Sequence, residues 1–235
     1  MIEFKKIKKS FGRLDVLKGL DFSVRGDKVT AVLGPNGSGK TTLIKSLLGM
    51  VYPDSGSIIL DGYQLNGKAD YRSKIGYLPQ IARFPENLVT RELLAMVRSV
   101  RKAESREEEL IKRFGLEPFL DKKLAHLSGG TRQKINIVLA LMFDTEYVIL
   151  DEPTTGLDPR ALQELKKLIS EEKEAGKTLL ITSHIMSFVE EVCDEVVFLL
   201  EGQIYFQGDM QELKEKTGSD DLEKAIAALM EETDA

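Results

Sequence analysis

"GPNGSGKT", from Gly34 to Thr41, decides how the rest of the chain is read. It matches G-x-x-x-x-G-K-[ST] in full, follows the apolar run "VTAVL" and leads into the helical pattern "TTLIKSLLG". A strand that passes through a glycine-rich turn into a helix points successive backbone N–H groups at one spot, at the positive end of the helix dipole. Gly34, Gly37 and Gly39 let the backbone curl, with Pro35, Asn36 and Ser38 between them, and bulkier residues at the glycines would block an approaching phosphate. Lys40 is long enough to reach the β and γ oxygens of a nucleoside triphosphate. The Thr41 hydroxyl, with Thr42 beside it, can ligate Mg²⁺.

Outward from this loop, short apolar runs bounded by Gly, Asp and Pro predict strands at about 2–7, 29–33, 57–60, 75–78, 147–150, 178–182 and 195–199. Helical periodicity fills most gaps between the later strands. This alternation predicts an α/β fold with a mainly parallel sheet covered on both faces and ligands at the carboxyl ends of the strands. "FSVRGDKV" and "SGSIILDGYQL" read instead as antiparallel strands joined by turns, a β-rich lobe flanking the core. From about 83 to 125 the pattern is only helical, with Ser105 and Glu108 as a capping box and Gly115 as a helix stop. It interrupts the alternation as an inserted helical lobe. After Ser219, read as an N-cap, Leu222, Ala225, Ile226, Leu229 and Met230 form one apolar stripe, predicting a helix packed on its own domain.

A chain of 235 residues with 42% hydrophobic residues can bury a sizeable core, and a net charge of −5 argues against a broad nucleic-acid-binding surface. Cys193 is the only cysteine, so no intramolecular disulfide forms; it reads as a buried apolar residue. The start "MIEFKKIKKSFG" lacks the apolar core of a signal peptide, and charges break every later apolar run well short of a span. Work at a membrane therefore requires spans from another polypeptide.

Two further stretches carry chemistry. "YVILDEP" is a buried type of strand ending in two acids: Asp151 is placed to hold Mg²⁺ and Glu152 to orient and deprotonate an attacking water. "LSGGTRQK", from Leu127 to Lys134, is a second anion-suited helix start, with Ser128, Gly129 and Gly130 at its tip. One chain thus carries two phosphate contacts.

"LSGGTRQK" between the loop at Gly34 and "ILDEP", with "GLDPR" directly after, resembles the ATP-binding subunit of an ABC transporter over nearly the whole chain. The resemblance implies a RecA-like core with an antiparallel β lobe and a helical lobe at about 83–140, an ATPase domain over 1–212 and a helical tail over 213–235. It also implies ATP and Mg²⁺ as ligands. Phe11 matches the aromatic residue that stacks on adenine, and Gln80 the glutamine that senses the γ-phosphate or Mg²⁺. Asp158 matches the aspartate facing the opposite subunit, and His184 the switch histidine that reaches the γ-phosphate, whereas His126 reads as structural. Thr131 departs from the pattern, since glutamine usually follows the two glycines.

By the same resemblance two such subunits, alike or similar, pack head to tail, so that Ser128 of the partner subunit completes each ATP site. A membrane permease docks near helices at about 81–90, which places the chain at the cytoplasmic face of the membrane. "IGYLPQ", "LSGGTRQK" and "GLDPR" together look most like ABC-2-type exporters, and "SGGTRQK" like the subunits that accompany copper-related nitrous oxide reductase maturation. With one Cys and two His the chain has no metal cluster of its own, so any copper link lies in its partners. The alternative is a soluble ABC ATPase acting on DNA or ribosomes, against which stand a single cassette, no long heptad insertion and no basic tail.

Overall fold

The computed structural model describes residues 1–65, 67, 70–219 and 221–234. The chain begins with β1 (Ile2–Phe11), β2 (Leu14–Val24) and β3 (Val29–Leu33), followed by α1 (Lys40–Leu47), β4 (Ser55–Leu60), β5 (Tyr63–Gln64) and β6 (Ile75–Leu78). Three helices come next: α2 (Thr90–Arg101), α3 (Glu107–Phe114) and α4 (Gly129–Leu141). Alternation then resumes with β7 (Tyr147–Asp151), α5 (Pro159–Glu174), β8 (Thr178–Thr182), α6 (Met186–Val192) and β9 (Glu195–Leu200). The chain closes with β10 (Gln203–Asp209), α7 (Met210–Thr217) and α8 (Leu222–Asp234).

The larger sheet has the order β10-β9-β3-β8-β7-β6, parallel throughout except for β10, which pairs antiparallel with β9. Its central strands are apolar at nearly every position because both faces are covered. Val29, Ala31 and Leu33 face the helical side, while Val32 faces α1 and the second sheet; Leu180 is turned oppositely to Leu179 and Ile181 in the same way. The second sheet is antiparallel, in the order β2-β1-β4-β5, and stacks Phe4 on Phe22 with ring centroids 4.5 Å apart. This is the α/β architecture with a β lobe and a helical lobe that the sequence predicts.

Several local expectations are corrected. "FSVRGDKV" is no hairpin: Val24 ends a strand of the antiparallel sheet, Asp27 turns in the left-handed region at φ 59°, and Val29 enters the parallel sheet. β10 escapes sequence reading because "QIYFQGD" mixes polar and aromatic residues at an edge, without a continuous apolar run. Residues 81–89 form an irregular loop rather than a helix. Pro85 supplies no N–H and biases Phe84 away from helix, so α2 starts only at Thr90.

Two caps shift as well. Ser105 closes its box with Glu107, whose N–H donates to Ser105 Oγ at 3.2 Å, while Glu108 stays exposed. α8 is capped by Asp221, whose carboxylate accepts the Lys224 N–H at 3.0 Å, rather than by Ser219. Gly115 does end α3 at φ 62°. Leu222, Ala225, Ile226 and Leu229 are buried in the main core beside Phe188 and Leu213, with Met230 half exposed at the border.

The helical lobe is tied to the core by charge as well as packing. Arg113 of α3 reaches Glu171 of α5 at 2.9 Å and Glu164 at 3.3 Å, and Arg106 pairs with the buried Glu172, which also takes Lys177 at 2.7 Å. A carboxylate as buried as Glu172 is tolerable only with such partners. Among the described residues no helix is long and apolar enough to cross a membrane.

Candidate functional site

Four neighbouring strands, β3, β8, β7 and β6, deliver their carboxyl ends to one edge of the sheet. There the chain forms a cleft of about 240 Å³ lined by Leu14, Val16, Asn36, Gly37, Gly39, Lys40, Thr41, Thr42, Gln80, Asp151 and Glu152. The loop before α1 has the predicted strand-turn-helix context, and its glycines are there for two separate reasons. A Cβ on Gly34 would lie 2.0 Å from the Leu199 carbonyl oxygen, so this glycine serves packing of the loop on β9 rather than space for a phosphate. At Gly37 the space is open, and the demand is a φ of +84°. Gly34→Ala is expected to destabilise the fold by about 3 kcal/mol through overpacking against backbone, read as a lower urea midpoint.

Lys40 Nζ donates to the carbonyl oxygens of Gly34 at 2.7 Å and Pro35 at 3.0 Å, across the mouth of its own loop. Burial pulls its pKa down, and the charges of Glu152 and Asp151 pull it back up. Ser38 is buried with its hydroxyl unpartnered among the described groups, an orphan within the glycine-rich loop.

Asp151 ends β7 with Oδ1 accepting the Thr182 hydroxyl at 2.6 Å. Burial pushes its pKa up, and the neighbouring Glu152 carboxylate adds to this against the Thr182 hydrogen bond and the charge of Lys40. Cation binding would favour the ionised form of this carboxyl. Together with the Thr41 hydroxyl and the Gln80 amide, Asp151 offers oxygen donors only, which suits a hard cation such as Mg²⁺. Elsewhere, among the described residues, no group of three or more His, Cys, Asp or Glu could hold a metal.

Glu152 is buried and sits in the left-handed region at φ 52°, a strained conformation for a side chain of this kind. Its N–H donates to Thr182, at 3.0 Å to Oγ1 and 3.1 Å to the carbonyl. Its carboxylate Oε2 stands 2.7 Å from His184 Nδ1, so a proton on that nitrogen is donated to Glu152. Thr182 therefore serves both acids at once, and sequence reading misses it. The available signal is a hydroxyl residue ending the apolar strand "TLLIT".

The remaining candidates lie around this cleft. Phe11, 50% exposed, ends β1 opposite Leu14 of the cleft wall, with Lys9 Nζ 5.4 Å from its ring centroid. Ser128 and Gly129 are exposed at the start of α4 and, with Gly130, are not among the residues lining the cleft of their own chain. Ser128 Oγ accepts the Thr131 N–H at 3.2 Å and lies 2.9 Å from the Thr131 hydroxyl. Thr131 thus gives the cap a second hydroxyl, where a longer residue at this position would reach back to the cap's own N–H. Asp158 caps α5 through the Ala161 N–H at 2.9 Å and pairs with Lys134 of α4 at 2.6 Å, which holds its carboxyl below the usual range.

Residues 17–155 match the family described as ABC transporter. The chain belongs to the ABC transporter family. Its ABC cassette is 37% identical over 213 residues to the Nod factor export ATP-binding protein I of Burkholderia lata, covering 88% of this chain and 70% of that protein. A solved ATP-binding subunit of an ABC transporter superposes with a TM-score of 0.89 at 31% identity, over 98% of this chain and 99% of its own. A dimeric ATP-binding cassette in a post-hydrolysis state, bound to ADP and Pi, gives a TM-score of 0.76 at 26% identity, over 89% and 99%. The present ABC cassette is accordingly an ATP-binding and ATP-hydrolysing subunit, with the glycine-rich loop and the paired acids on one edge of its sheet.

Proposed function

We propose that this chain powers export through a separate membrane permease, on whose cytoplasmic face it sits as a peripheral subunit. In this reading it works in a head-to-tail dimer with itself or a similar subunit. One observation carries the dimer: the cleft of a single chain holds the loop, Gln80 and both acids, while the exposed Ser128–Gly129 turn lies outside it. With the Thr131 N–H taken by the Ser128 hydroxyl, the N–H groups of Gly129 and Gly130 at this exposed helix start point toward the ATP of a second copy in this reading, and a two-fold axis then gives two equivalent sites. Export is favoured by the Nod factor export protein among the relatives.

The geometry supports the following residue roles in this reading. Phe11 offers a ring face to adenine beside Leu14 and Val16. Lys40 exchanges the carbonyls of Gly34 and Pro35 for the β and γ oxygens of ATP. Thr41 and Asp151 would hold Mg²⁺ with Gln80 beside it, and a cation bound there would supply positive charge beside the phosphates. Glu152 accepts the proton of the attacking water, and its hydrogen bond to His184 keeps that ring at the site until a γ-phosphate draws it over. Asp158, bound to Lys134, holds the Ser128 turn and the loop after Glu152 in one arrangement facing the partner subunit. In this reading the ATPase unit is 1–212, with its helical lobe at 83–140, and of the tail 213–235 the residues Leu213, Leu222, Ala225, Ile226 and Leu229 pack into its core.

A permease seat is supported by a groove of about 410 Å³ next to Gln80 in sequence, walled by Ile81, Phe84, Leu93, Leu124 and Ile135, with Arg83, Glu86 and Arg132 among its lining. Ile81 is exposed at its mouth. Ile81→Asp is expected to leave ATP binding unchanged and to reduce recovery of membrane subunits with the tagged chain about tenfold, by placing a charge against an apolar contact. Recovery of ribosomes or DNA in place of membrane subunits would move the assignment to a soluble ATPase.

A further inference from the structure

We infer that Gln133 is a positioning residue for ATP hydrolysis: its buried side-chain amide holds the turn that carries Glu152. The inference rests on the reading of Glu152 as the base and goes beyond it in naming what keeps that base in place. Gln133 lies in α4 on a face shared with Ile137 and Ala140, all three buried. An amide in such surroundings is costly unless paired, and a leucine or methionine would fill the space more cheaply. Its Nε2 donates to the carbonyl oxygen of Pro153 at 3.1 Å.

Pro153 directly follows Glu152. Having no N–H of its own, it can be anchored through its backbone only at the carbonyl. Glu152 in its left-handed conformation is thus held on both sides: Thr182 takes its N–H, and Gln133 takes the carbonyl of the next residue. A strained backbone persists only where neighbours over-determine it, and these two contacts do so. The same stretch of α4 grips the loop twice more. Lys134 pairs with Asp158 at 2.6 Å, and Gly130 packs so closely that a Cβ there would lie 2.6 Å from the Gly156 carbonyl oxygen. Gln133 does not line the nucleotide cleft, so its effect reaches the reaction through Glu152 and not through ATP.

The helix whose N-terminus offers Ser128 to the partner's ATP is therefore bonded to the turn bearing this chain's own base. A shift of α4 on dimer closure moves Pro153, and with it the carboxylate of Glu152. Misplacing a reacting group by about 1 Å is enough to cost roughly a hundredfold in rate.

The test is Gln133→Met in the full chain, which keeps length and packing and removes the donor. Expected are a KM for ATP within twofold of wild type, a kcat lower by about tenfold or more, and faster amide exchange confined to 152–158 in the nucleotide-free chain. Gln133→Glu, which sets a carboxylate against the Pro153 carbonyl, is expected to lose at least as much kcat. A wild-type kcat in Gln133→Met, or exchange unchanged across 152–158, overturns the inference. So does a loss of kcat that comes with an equal rise in KM and general unfolding, since Gln133 would then serve only the fold. Glu152→Gln is measured alongside: if it turns over normally the base assignment itself fails, and if it is dead while Gln133→Met is fully active only the present inference fails.

Discussion

Replacing Glu152 by glutamine is expected to cut steady-state ATP hydrolysis by about 10² to 10⁴-fold while leaving ATP affinity nearly unchanged. The substitution keeps the shape of the side chain and its ability to hydrogen-bond His184, and removes only the capacity to accept a proton from water. The glycine-rich loop from Gly34 to Thr41, the P-loop, keeps its own contacts, those of Lys40 to Gly34 and Pro35 among them. Since hydrolysis is the step that removes the bridging phosphate, ATP-bound dimers should accumulate, seen as a doubling of mass in size-exclusion chromatography with ATP. An unchanged rate of phosphate release would show that the proton goes elsewhere.

The second large effect concerns Ser128. Ser128→Arg puts a long charged side chain on an exposed turn that is absent from the cleft of its own chain, so ATP binding to the monomer should survive and hydrolysis should be lost. Lys40→Ala should lose binding and hydrolysis together. Mixing the two inactive chains gives the sharper result. In a mixed dimer the intact P-loop of one chain meets the intact turn of the other, so one of two sites is whole, and random pairing should restore about a quarter of wild-type activity. Absence of any recovery, with mixed dimers demonstrated by differential tags, would put the serine in its own chain's site.

These expectations draw unequally on sequence and structure. The buried parallel strands are legible because both of their faces are covered, so "VTAVL" and "TLLIT" are apolar without a gap or nearly so. β10 is not, because an edge strand is constrained on fewer sides. The stretch 81–89 misleads because Ile81, Phe84 and Leu88 have helical spacing, yet Ile81 is exposed, and Phe84 and Leu88 pack against the main core from an irregular loop rather than from a helix of their own.

The site divides along similar lines. Residues within one loop, such as Lys40 and Thr41 or Asp151 and Glu152, are recognisable because their spacing in sequence is their spacing in space. Thr182 and Gln133 matter through partners 31 and 20 residues away, at Asp151 and Pro153, and no local pattern announces such a contact. Thr131 stands between the two cases. As a departure from a motif it has no meaning until Ser128 is seen to share its hydroxyl, after which it becomes a variation in how the helix start is capped.

The order β3-β8-β7-β6 also sets a dimension. The P-loop, His184, the two acids and Gln80 each hang from the end of a successive strand, and hydrogen-bonded strands stand about 4.8 Å apart. Three such steps make a row of roughly 14 Å from one end to the other. Backbone hydrogen bonding, rather than any side chain, is therefore the ruler on which the site is marked. Substitutions can change what stands at each mark but not the pitch between marks, and a ligand must match that pitch to touch all four strands at once.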